Sequence, residues 1–195
     1  MQKKTKELDK GISRLFIGVR PDQDTQQRLD ELVEQCRQQL GTKKCKQVRW
    51  TKPENRHLTL AFLGATPDKL IPLIREQLTQ IGSYLPACYG QINSIASFPH
   101  PHSPGLAAEL ANNPDLQRMH ETCRQLMLSL DMKPESAAFR PHFTLARSRN
   151  GFAELSPQVL NITVSLGNIT LYKSHTSQAG SRYSSLFAIE LEGSR

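Results

Sequence analysis

Two short runs of the chain, HLTLA at residues 57–61 and HFTLA at residues 142–146, set a histidine and a threonine two positions apart among Leu, Ala and Phe. Apolar runs of this kind, bounded by turn residues, predict strands. Strand side chains alternate between faces, so each run sorts into an apolar set and a polar set. In the first, Leu58, Leu60 and Phe62 are expected toward a helix-covered core, with His57, Thr59 and Ala61 opposite. In the second, Phe143 and Leu145 are expected inward, with His142, Thr144 and Ala146 on the open face. Each strand then offers one imidazole beside one hydroxyl to whatever lies against it.

Six His and twelve Thr in 195 residues give roughly 0.4 His-x-Thr matches by chance, and requiring Leu and then Ala afterwards lowers that to a few per thousand. A single copy reads most simply as a hydrogen-bonded pair satisfied within a sheet. Two copies argue for a shared purpose.

The surrounding sequence repeats a plan. RLFIGVR (14–20) predicts a strand stopped by Pro21. DTQQRLDELVEQCRQQLG then carries Leu29, Leu32, Val33, Cys36 and Leu40 at helical spacing, with Gly41 as a stop. After the first histidine strand, PDKLIPLIREQLTQIGSYL predicts a second helix from near Pro67. The later half follows suit: YGQINSIASF and GLAAEL as strands, PDLQRMHETCRQLMLSL as a helix, the second histidine strand, and further strands in ITVSLGNITLYKS and RYSSLFAIEL. The expectation is an α+β protein of two similar lobes, each a mainly antiparallel sheet backed by helices.

The length suits one packed domain, taken as residues 13–195 behind a frayed basic leader at 1–12. That leader lacks the apolar stretch of a secretion signal, and no window reaches the ~18 apolar residues of a membrane span. Cys36, Cys45, Cys88 and Cys123 show neither a CxxC pair nor a zinc spacing. Free thiols and a soluble, cytoplasmic protein are expected. The formal charge of +7 favours a polyanionic partner without naming it.

Two imidazoles on facing strands suit displacement at phosphorus. One, neutral, takes a proton from the attacking oxygen, and the other, protonated, gives one to the departing oxygen. Histidine fits because both its forms are populated near neutrality. Each threonine hydroxyl can donate to a non-bridging phosphate oxygen. The scheme needs no metal, and neither strand adds a carboxylate or third imidazole of the kind a zinc site uses. Of the other histidines, His100 and His102 belong to the Pro-rich turn FPHPHSP, while His120 and His175 are expected in solvent. Phe16 and Tyr172 are candidates for stacking on a base, with core packing the simpler reading of Phe16.

The two tetrads, HLTL at 57–60 and HFTL at 142–145, resemble the defining pair of the 2H phosphoesterase superfamily. RLFIGVRPD, RWTKPENRHLTLAFLG, SFPHPHSPGLAAEL, FRPHFTLAR, LYKS and GSRYSSLFAIEL extend the resemblance along nearly the whole chain, toward the RNA 2′,3′-cyclic phosphodiesterases, also called 2′-5′ RNA ligases. The resemblance implies a bilobal α+β fold with a pseudo-twofold axis and a central cleft. It implies opening of a 2′,3′-cyclic phosphate, on RNA ends or nucleotides, to a 2′-phosphomonoester with no metal and no organic cofactor. His57 would be the proton donor, His142 the acceptor, and Thr59 and Thr144 the phosphate holders; symmetric tetrads alone do not say which ring is which. Arg147 matches an arginine that frequently follows the second tetrad in such proteins. Strict alternation puts it on the Phe143 face, so it reaches the cleft only if the strand ends or bulges near Ala146. Ligation by the reverse reaction is a side activity on this reading, a monomer is expected, and a non-catalytic module gripping RNA ends is the alternative.

Overall fold

A computed structural model describes residues 11–177 and 180–193. Residues 1–10 of the expected leader lie outside that range, and the first strand, β1, already begins at Ile12 (Ile12–Val19). The long helix α1 (Gln23–Cys45) follows, capped by the Asp22 carboxylate, which accepts from the Thr25 backbone N–H at 2.8 Å. The expected stop at Gly41 is a kink: its φ of 68° breaks the helical geometry, but helix resumes as far as Cys45. The short β2 (Arg49–Trp50) and a 3₁₀ turn at Pro53–Asn55 lead into β3 (Leu58–Pro67). A second 3₁₀ turn delays α2 to Ile71–Gly82. Then come β4 (Cys88–Phe98), β5 (Gly105–Ala111), α3 (Pro114–Ser129), β6 (His142–Arg147), β7 (Gln158–Leu166), β8 (Asn168–Ser177) and β9 (Gly180–Glu190).

All strand pairings are antiparallel, in the order β7-β4-β5-β6-β3-β1-β8-β9, with β2 paired to β6. The two expected sheets are thus the halves of one hydrogen-bonded sheet, joined where β3 meets β6 at the single register pair Leu58↔Phe143. The halves mirror each other about this seam: β1-α1-β3 in one lobe answers β5-α3-β6 in the other, and β8 and β4 lie outside β1 and β5. Leu29, Leu32, Val33 and Cys36 of α1, Ile74, Leu78 and Ile81 of α2, and Leu116, Met119 and Cys123 of α3 join Leu58, Leu60, Phe143 and Leu145 in one buried core. That core fixes one face of the sheet, and burying its apolar surface drives the helices onto it. The opposite face is left to carry polar groups.

Among the described residues no helix is long and apolar enough to cross a membrane. All four cysteines are free, and burial pushes the thiols of Cys36 and Cys88 up to about 11 and that of Cys123 to about 12. Such thiols stay protonated and unreactive near neutrality.

Candidate active site

Local register decides which side chains reach the open face. In β3 the pairing with β1 runs Gly18↔Thr59, then Ile17↔Ala61, so Leu60 is an extra residue and the strand bulges there. In β6 the pairing with β5 runs Ala107↔Thr144, then Leu106↔Ala146, so Leu145 is the extra residue. Both strands therefore bulge at the last residue of the tetrad, and alternation restarts one residue late. Ala61 and Ala146, expected beside the histidines, are buried at 6% and 0% exposure in the core. Phe62, expected in the core, lines the open face instead, and so does Arg147. The condition on which Arg147 could reach the cleft is met by the bulge.

A cleft of about 840 Å³ occupies this face, lined by His57, Thr59, His142, Thr144 and Arg147 together with Arg14, Phe16, Arg49, Phe62 and Tyr183. All five candidate site residues come together there. Their arrangement follows from the seam. With Leu58 opposite Phe143 in an antiparallel pair, one step either way sets His57 toward Thr144 and Thr59 toward His142. The imidazoles thus sit on a diagonal, a relation that sets neighbouring residues of a sheet ~7–8 Å apart and their Cβ atoms somewhat closer. Two rings across that gap can reach one tetrahedral group from both sides. Beside each threonine the neighbouring strand offers only a small residue, Gly18 or Ala107, which keeps the floor open.

The rings are held alike. His57 Nδ1 lies 2.8 Å from the Asn55 carbonyl oxygen, and His142 Nδ1 lies 2.8 Å from that of Arg140. A carbonyl only accepts, so Nδ1 carries the hydrogen in both, and Nε2 is left to exchange a proton. Their surroundings differ. His57 packs against Phe16 at 4.6 Å and, edge-on, against Tyr183 at 4.7 Å, with Tyr172 stacked behind Phe16 at 4.8 Å. His142 stacks on Phe98 at 3.9 Å, and the Arg140 guanidinium covers the same ring while bonding Glu109 at 2.7 Å.

Burial pushes the His57 imidazole down to about 4; the bond to Asn55 opposes this, and a charge on His142 adds to it. Burial likewise lowers His142, opposed by its bond to Arg140 and by Glu109, and assisted by Arg140 and Arg147. The two rings therefore resist being charged together, as an acid and base pair requires.

Several expectations change at this level. Phe16 and Tyr172, at 3% and 5% exposure, are largely buried, and with Tyr183 they form the aromatic surround of His57. His120 is not in solvent: its Nδ1 donates to the Leu60 carbonyl at 2.7 Å and its ring stacks on Phe139 at 3.9 Å, tying α3 to β3. His100, His102 and His175 are not buried, in keeping with the expectation for them. Arg14, Arg49 and Tyr183, unmarked in the sequence, reach the cleft through long-range strand pairing, whereas Asn55, also unmarked, lies in the turn just before His57. Among the described residues no cluster of three or more His, Cys, Asp or Glu side chains is placed to hold a metal ion.

An antiparallel, two-lobed sheet with helices on one face and a two-histidine cleft on the other is the arrangement expected of the 2H phosphoesterase class. Solved structures share that fold: the TT0787 protein of Thermus thermophilus superposes with a TM-score of 0.80 at 21% identity, covering 93% of this chain and 100% of the other. LigT of E. coli, complexed with 3′-AMP, gives 0.74 at 19% identity, covering 93% and 99%. The chain belongs to the 2′-5′ RNA ligase superfamily, whose family model matches residues 21–178. Relatives named RNA 2′,3′-cyclic phosphodiesterase include one from Geobacillus stearothermophilus, 29% identical over 74% of this chain. Another, from Bacillus subtilis strain 168, is 27% identical over 73% of this chain and 80% of its own length. The match spans only 48% of the length of the Geobacillus relative.

Proposed function

We propose that this protein hydrolyses a terminal 2′,3′-cyclic phosphate, on RNA or a nucleotide, to a 2′-phosphomonoester. The observation that carries the reading is the pair of imidazoles, one from each lobe, held by equal carbonyl bonds and opening on one cleft. The names of the relatives support the choice of substrate.

In this scheme Thr59, Thr144 and Arg147 hold the non-bridging oxygens. His142 Nε2 takes a proton from water as its oxygen bonds to phosphorus. The bond to O3′ breaks in line, and His57 Nε2 supplies the proton that O3′ takes up. The phosphate remains on O2′, and the histidines have exchanged protonation states. No metal takes part. His57 is neutral in the free protein near pH 7, and an anionic phosphate beside it favours the imidazolium, so substrate itself prepares the acid. The resemblance, rather than this electrostatic asymmetry, assigns the two roles. One copy of the chain supplies both histidines, which fits a monomer, and free thiols fit a reducing cytoplasm.

The reverse reaction, joining a cyclic phosphate to a 5′-hydroxyl through a 2′-5′ bond, uses the same groups, and the superfamily's name supports it. Water at ~55 M favours hydrolysis, leaving ligation a side activity. Incubating the purified protein with a 2′,3′-cyclic mononucleotide and excess chelator tests the main reading. A 2′-phosphate product is expected; a 3′-phosphate, or no turnover, overturns it.

A further inference from the structure

Joined to the cleft through Arg49 and Arg147 runs a second depression of about 660 Å³, which continues to Arg149 and Asn150. Its charge is one-sided: three arginines line it, and no carboxylate does. Among the described residues none of the three takes part in an ion pair. Arg49 and Arg147 are direct register partners across β2 and β6, an arrangement in which like charges repel and destabilise the pair. Ser148 between the other two is turned inward and buried, its N–H donating to the Pro104 carbonyl at 2.8 Å, while Arg147 and Arg149 stay exposed. The remaining wall is neutral and polar, where the Asn150 amide donates to Gln47 at 3.4 Å.

Guanidinium groups gathered at a cost, with no acid to offset it, suit an anion that accepts paired N–H bonds, above all phosphate. Because the depression opens directly off the cleft, a ligand filling both must carry more than one phosphate along a chain. We propose that this groove, which Arg147 shares with the cleft, uses Arg49 and Arg149 to seat the internal phosphodiester next to the reacting end of a single-stranded RNA. The protein then acts on an oligonucleotide in preference to a mononucleotide. This inference rests on the hydrolytic reading above and adds to it the length of the substrate and the path of its strand.

The test compares kcat/KM for a 2′,3′-cyclic mononucleotide with that for a short oligoribonucleotide carrying the same terminal group, in the wild type and in Arg149→Ala and Arg149→Lys. The wild type is expected to favour the oligonucleotide. The ratio falls about tenfold in Arg149→Ala, as loss of one charge-assisted contact predicts, and less in Arg149→Lys. The salt slope for the oligonucleotide becomes shallower by about 0.7 in Arg149→Ala. A wild-type ratio near one, or a ratio the alanine variant leaves unmoved, overturns the proposal. Should the wild type hydrolyse neither substrate, the hydrolytic reading fails by itself, and the groove is judged by fluorescence anisotropy with an oligoribonucleotide ending in a 3′-phosphate. Weaker binding to Arg149→Glu than to the wild type upholds the groove, and equal binding overturns it.

Discussion

Asn55 binds the edge of the cleft to Tyr183. Its side-chain oxygen accepts the Tyr183 backbone N–H at 3.2 Å, while its amide donates to the Ser181 carbonyl at 3.4 Å. Its own carbonyl holds the His57 ring. One residue thus couples the start of β9 to the orientation of an imidazole. Asn55→Ala keeps that backbone carbonyl but should destabilise the fold by about 1–2 kcal/mol, two modest hydrogen bonds, and lower kcat roughly tenfold as the turn that carries the carbonyl loosens around His57. Thermal unfolding and steady-state kinetics measure the two effects; unchanged kcat would separate the asparagine from the ring.

Replacing either His57 or His142 by Ala should cut kcat by about 10²- to 10⁴-fold, the usual worth of one positioned proton-transfer group. The circular dichroism spectrum should not change, and a chelator should leave the wild-type rate as it was. Turnover surviving in either variant removes that ring from the reaction.

Burial holds both imidazoles below the ordinary histidine range, and kcat/KM reports groups in the free protein. Its bell should therefore be centred on the acid side of about pH 6.5. The bell for kcat should lie at higher pH, because a bound phosphate anion favours imidazolium. A kcat/KM maximum above about pH 7 would contradict the burial argument.

Folding stability carries the same signature. An unfolded histidine takes a proton near pH 6.5, whereas folded His57 waits until about 4. Between those values the unfolded state binds more protons, so stability falls as pH falls through that window, by on the order of 3 kcal/mol from this ring. His57→Gln should flatten that part of the curve in urea titrations at successive pH values. An unaltered slope would mean the ring is wetter than its surroundings indicate.

Gly18 tests the seam from the neighbouring strand. A Cβ there would lie 2.6 Å from the Leu58 carbonyl oxygen, so Gly18→Ala must push β1 away from β3 beside Thr59. A loss of ~1–3 kcal/mol is expected, with KM raised as the threonine shifts. Wild-type stability and KM in this variant would show that the strands have room to spare.

Much of this was legible in the chain. The tetrads named the four central side chains because alternation by two is local and needs only the sequence. Leu29, Leu32, Val33 and Cys36 marked the buried face of α1 because helical spacing is equally local. Alternation misplaced Ala61, Phe62 and Ala146, since a bulge arises between strands and leaves no mark in either one. Arg49 and Tyr183 went unnoticed because β2 and β9 reach the cleft through partners far along the chain. His120 looked solvated on its own helix, and only the Leu60 carbonyl across the core explains its place.

The bulges that follow the two tetrads deliver unlike residues to matching places, a flat hydrocarbon ring at Phe62 and a fixed positive charge at Arg147. Arg14 even lies across the face of Phe62, at 4.8 Å. Two lobes whose strand order and bulges correspond therefore do not present the same chemistry. On the proposed substrate, a strand whose two ends differ meets two lobes that differ as well: a bare guanidinium at Arg147 on one side, and on the other a guanidinium laid over an aromatic ring.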